Sequence, residues 1–130
     1  MLAQAAPLAG AIDEVATLFA ESLALNRSIG DAGMVLVELH NLGHVELRRG
    51  NVDVAEKAFA ESFAAADPND PYDGALTRFN QAALSFARGD RVRASTLLEE
   101  SQSMLASHNL KLASDDQLEF ERLTKLVAPQ

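Results

Sequence analysis

NLGHVELRRGNVDVAEKAFAES, residues 41–62, lies on NQAALSFARGDRVRASTLLEES, residues 80–101, without a gap. Asn41, Arg49, Gly50, Val54, Ala55, Phe59, Glu61 and Ser62 meet Asn80, Arg88, Gly89, Arg93, Ala94, Leu98, Glu100 and Ser101, a shift of 39 residues. A shorter stretch upstream joins the series. GAIDEVATLFAES (10–22) lies on GNVDVAEKAFAES (50–62), with Gly10, Asp13, Phe19, Ala20, Glu21 and Ser22 recurring at a shift of 40. A period of about 40 residues with two helices in each period is the mark of an α-solenoid. One such unit cannot bury its own apolar face, so it stacks on neighbours.

Working outward, glycine, proline and aspartate divide the chain into six expected helices: 11–29, 32–49, 51–66, 71–88, 90–107 and 115–127. Each carries apolar residues at helical spacing without β-branched alternation. Gly30-Asp31 ends the first helix and offers a cap to the second. Asp70-Pro71 places a cap before a proline whose missing N–H costs nothing in a first turn. Asp90 caps the fifth helix. Ser114 and Gln117 read as a capping box for the sixth, with Asp115 and Asp116 at the positive end of its dipole.

Composition sets the outer bounds. The 130 residues fit a single domain by length, with 48% hydrophobic and 5% aromatic residues. Alanine and leucine supply most of the apolar share and favour helix. There are no cysteines, which removes disulfides and thiolate zinc sites. The net charge of −8 argues against a nucleic-acid groove, which needs concentrated positive charge. No stretch approaches the length of a transmembrane span, and the N-terminus lacks the basic start of a signal peptide. The expected location is the cytoplasm.

The block 41–63 resembles a tetratricopeptide repeat. Leu42-Gly43, Gly50-Asn51, Ala55, Phe59 and Ser62 match that family's pattern in order, and Ala82, Gly89-Asp90, Ala94, Leu98 and Ser101 match it again. Gly43 and Ala55 are small where two helices cross closely, and Phe59 fills the space beneath the crossing. The implied layout is a half repeat at 10–29, repeats at 32–66 and 71–107, and a polar capping helix at 114–127. The linkers RSIGDAG and ADPNDPYDG are longer than the family minimum. Such variants are similar to the C-terminal arrays of bacterial, especially actinobacterial, ATP-dependent transcription regulators.

The resemblance implies a concave groove lined by first-type helices. The matching positions are Val37, His40, Asn41, His44, Leu47 and Arg48, then Leu76, Phe79, Asn80, Ala83 and Phe86. Of these His40, Asn41, His44, Arg48, Leu76, Phe79, Asn80 and Ala83 are the candidate partner-binding set. Asn41 and Asn80 hold equivalent places, and an amide there both donates to and accepts from a peptide main chain. The alternative is that each asparagine bonds a neighbouring helix or faces water. Phe79 and Phe86 also read as core, since a helical apolar stripe usually faces inward.

His40 and His44, spaced i, i+4, share a helix face. That spacing can serve zinc, but no third ligand stands at an evident spacing, so the pair reads as two histidines on the exposed groove face. Neither a nucleophile elbow nor a phosphate loop occurs, so no catalytic residue, metal or cofactor is expected.

Two functional readings follow. One is a non-enzymatic scaffold that takes a peptide or partner protein in its groove. The other is self-association or intramolecular packing, with a homodimer formed through Ile12, Val15 and Phe19 on the open face of the first helix. A compact helical bundle is the third, purely structural alternative.

Overall fold

The computed structural model describes residues 5–128, apart from the side chains of residues 5–11, 15, 16, 19 and 32. The described residues form six helices and no strand, an all-α chain: α1 (Ala5–Ile29), α2 (Ala32–Arg48), α3 (Val52–Ala65), α4 (Pro71–Ala87), α5 (Arg91–Ser107) and α6 (Ser114–Val127). Helix α1 starts six residues before the expected position 11. Pro7 is its third residue, and first-turn N–H groups have no intrahelical partner in any case, so a missing N–H there costs nothing. The expected long linker RSIGDAG shrinks to Gly30 and Asp31, with the rest absorbed into α1 and α2.

The two loops inside the repeats close in the same way. Gly50 at φ +84 and Gly89 at φ +86 take the left-handed conformation that ends a helix, where a Cβ would be strained. Arg49 N–H donates to Val45 O and Asn51 N–H to Glu46 O; Arg88 N–H donates to Leu84 O and Asp90 N–H to Ser85 O. These bonds satisfy carbonyls that the helix end would otherwise orphan. Asp90 then caps α5 by accepting from Arg93 N–H at 3.0 Å. Asn51 instead turns its amide back to Glu46 Oε1 at 3.0 Å.

The chain divides into two compact units between residues 65 and 66. In the first, α2 packs on both α1 and α3. Leu23, Leu39 and Ala58 are buried together, with Val35 and Leu42 against them. The expected close crossing is present: a Cβ on Gly43 would stand within 2.7 Å of three Phe59 ring carbons. Ser62 Oγ donates across the crossing to Leu36 O at 3.3 Å. Two ion pairs tie the unit's edges, Arg27 with Glu61 and Arg49 Nε with Asp13 at 2.9 Å.

In the second unit, α4 packs on α5, and α6 lies against both. Ala75, Phe79, Ala82 and Ala94 are fully buried, and α6 adds Phe120, Leu123 and Val127 to the core. Ser101 Oγ donates to Ala75 O at 2.7 Å. Both partners stand 39 residues beyond Ser62 and Leu36, so the repeat seen in sequence recurs as one shared interhelical bond.

The expected capping box at α6 is not formed. Ala113 is the cap residue and no side chain bonds there, which places Ser114 inside the helix. Ala113 N–H donates instead to the Tyr72 hydroxyl at 3.3 Å, and Gln117 Nε2 donates to Glu121 Oε2 at 3.0 Å. A hydroxyl from α4 thus bonds the backbone of the cap residue itself, while Gln117 N–H donates to the Ala113 carbonyl.

Candidate partner-binding face on α2

Helix α2 packs on both α1 and α3, so its open side is a narrow stripe. At 3.6 residues per turn that stripe is Met34, Val37, Asn41, His44 and Arg48. Met34 and Val37 are exposed, Asn41 and His44 are half-buried, and Arg48 is exposed. The spacing places two apolar contacts at one end, an amide in the middle, and an imidazole and a guanidinium toward the other end. Such a row can grip a peptide by side-chain burial, by main-chain hydrogen bonds through Asn41, and by charge through Arg48.

The stripe stands on a firm base. The His44 ring meets Phe59 edge to face, with centroids 5.1 Å apart, and His40 meets His44 at 4.8 Å. Phe59 is wedged over Gly43, so His44 sits on a ring that is itself fixed by the helix crossing. At the C-terminal end, Glu46 is buried and accepts from Arg49 Nη1 and Asn51 Nδ2, each at 3.0 Å. That network gives the turn after Arg48 a fixed shape. Buried Glu38 lies beside the stripe, and its Oε2 has no hydrogen-bond partner.

Only part of the expected partner-binding set lies on this face. Asn41, His44 and Arg48 do. His40 does not: it is 2% exposed, an interior residue rather than a groove residue. In the second unit the correction is complete. Leu76, Phe79, Asn80 and Ala83 are all buried, so none lines an open surface. Over Phe79 the cover is α6, whose Phe120 packs on it with ring centroids 5.2 Å apart. The core reading of Phe79 therefore describes its placement. Leu47 is half-buried, and so is Phe86, beneath the Arg91 guanidinium at 5.9 Å.

The expected dimer face is only partly described. Ile12 is half-buried, while the side chains of Val15 and Phe19 lie outside the described residues. Sequence reasoning missed the buried acids Glu38 and Glu46. For Glu46 a signal existed: a glutamate three residues before an arginine at a helix end, followed by the Gly-Asn turn, can fold back into one network. For Glu38 no signal in the sequence marks it as buried.

No family model, curated protein or solved structure matches the chain. Among the described residues no helix is long and apolar enough to cross a membrane.

Proposed function

We propose that the chain is a non-enzymatic interaction module that holds a peptide or partner protein segment on the α2 face. One observation carries this reading. Val37 is exposed and Asn41 and His44 are half-buried, whereas their counterparts in the second unit, Leu76, Asn80 and Ala83, are buried. The same helix position thus serves as surface in one unit and as core in the other. The shared hairpin design, with its serine-to-carbonyl bond and its small residue at the crossing, supports a tetratricopeptide-like repeat of solenoid type. A place in the C-terminal array of a larger bacterial regulator is the wider setting we infer from the repeat length. The net charge of −8 favours a protein or peptide ligand over nucleic acid.

Isothermal titration of the full chain against a peptide library tests this. A binding peptide should lose about tenfold in affinity, roughly 1.4 kcal/mol, when Asn41, His44 and Arg48 are all changed to Ala. Unchanged affinity in that triple variant removes the assignment.

A further inference from the structure

Helix α1 has a second apolar face, turned away from the core. Leu23 is buried against Leu39 and Ala58, but Leu18, Leu25 and Ile29 are 64%, 61% and 65% exposed. Their spacing of seven and four residues puts all three on one line of the helix. Isolated exposed leucines are ordinary; three in a row on one helix mark a contact surface.

The internal repeat says what belongs there. Leu18 and Ser22 align with Ala58 and Ser62 on α3, and with Leu97 and Ser101 on α5. In both hairpins this pair is buried against an antiparallel first helix, and the serine hydroxyl donates to a carbonyl of that helix. On α1 the matching Ser22 Oγ accepts from Asn26 Nδ2 at 3.4 Å, and among the described residues it donates to no carbonyl. The face carries the receiving half of a hairpin that is completed twice elsewhere in the same chain. It is also continuous with the α1–α2 contact, since half-buried Ser22 and Asn26 stand between the outer stripe and Leu23.

Charge identifies the occupant. Glu14 and Glu21, both exposed and seven residues apart, run along one edge of the stripe. The one cation between residues 12 and 29, Arg27, points the other way and is paired with Glu61. Beside Leu18 is an open depression of about 370 Å³, lined by Asp13, Glu14, Thr17 and Leu18 among the described residues. Asp13 is taken by Arg49, which leaves Glu14 as the carboxylate at its mouth. A hollow with an apolar wall and a carboxylate rim fits a lysine or arginine, whose methylene stem covers the leucine while its charge meets the glutamate. A second copy of this face would instead bring Glu14 and Glu21 against their own kind.

We infer that the Leu18–Leu25–Ile29 face of α1 seats an antiparallel amphipathic helix of a partner protein, one that carries Lys or Arg along one edge. This surface is separate from the α2 stripe and stands whether or not that stripe binds a peptide.

The test uses the full chain and two fluorescein-labelled model helices. Both have the same Leu/Ala face; one carries Lys along one edge, the other Glu. Anisotropy should show the Lys helix binding and the Glu helix at least about tenfold weaker, as expected for two complementary charge pairs. Glu14→Lys/Glu21→Lys should reverse that preference. Leu25→Asp should abolish binding of either helix, with the circular dichroism unchanged because residue 25 is exposed. Asn41→Ala/His44→Ala should leave this binding intact. Equal binding of the two helices, loss of binding in the Asn41/His44 variant, or a concentration-dependent dimer abolished by Leu25→Asp in sedimentation would each overturn the assignment.

Discussion

The two central hairpins, α2–α3 and α4–α5, solve one packing problem with opposite choices of size. In the first, Gly43 gives way to Phe59; in the second, Ala82 stands at the same place and Leu98 replaces the ring. A larger residue on one helix is matched by a smaller one on the other, and both crossings are closely packed. The serine-to-carbonyl bond spans both, though it is shorter in the second hairpin, 2.7 Å against 3.3 Å. What the hairpins do with their remaining faces differs more. His40 and Phe79 are equivalent and both buried, but Phe79 is covered by Phe120 of α6, and the residues around it follow it into the core. A repeat therefore dictates how two helices cross, while Asn41 and His44 stay half-buried where Asn80 and Ala83 are buried.

The largest expected effect tests the size exchange itself. Gly43→Ala should cost about 2 kcal/mol in urea unfolding, because a methyl group cannot share the space of a ring held by the α3 backbone. Phe59→Leu in the same chain should recover most of that loss, since it rebuilds the Ala82–Leu98 pairing. A loss of similar size in the double variant would show that ring and glycine are not in direct opposition.

A smaller effect separates the two serines. Ser101→Ala should cost about 1 kcal/mol, and Ser62→Ala less, because Ser101 is fully buried and its bond is the shorter. Equal midpoint shifts in thermal melts would mean that the two crossings hold their hydroxyls equally.

The smallest effect belongs to Tyr72, which has no counterpart in the first unit. Burial raises its pKa above the ordinary 10.0, and Asp116 and Asp73 push the same way, while the bond from Ala113 N–H opposes them. A group whose folded pKa is raised stabilises the fold below its unfolded pKa, and that contribution is lost as pH climbs through the folded value. Unfolding midpoints of the natural chain should therefore fall between about pH 8 and about pH 11 by more than those of Tyr72→Phe. Parallel declines in both proteins would remove the tyrosine from the alkaline response.

Much of this architecture was readable because it is written in local chemistry. Gly30-Asp31, Gly50, Asp70-Pro71 and Gly89-Asp90 each mark a helix end by a backbone requirement that few residues meet. The Gly43–Phe59 crossing was readable because a glycine and an aromatic ring stand at complementary positions of a repeated pattern. The burial of Phe79 was readable as part of an apolar helical stripe, but that of Leu76, Asn80 and Ala83 was not. The spacing of Leu76, Asn80 and Ala83 suits an open helix face as well as a covered one, and burial there depends on tertiary packing that no local pattern marks. The box at Ser114 does not form because the helix begins one residue earlier: Ala113 is the cap, and Gln117 N–H donates to its carbonyl.

Tyr72 has one more consequence. The chain has one tyrosine and no tryptophan, so its intrinsic fluorescence above the phenylalanine background comes from a single ring at the start of α4. Emission and its quenching therefore report on the second unit alone, while the first unit, with the proposed α2 and α1 surfaces, is optically silent. A tryptophan placed at exposed Val37 would light the first unit separately. The two halves of this chain could then be followed, by wavelength, as they open.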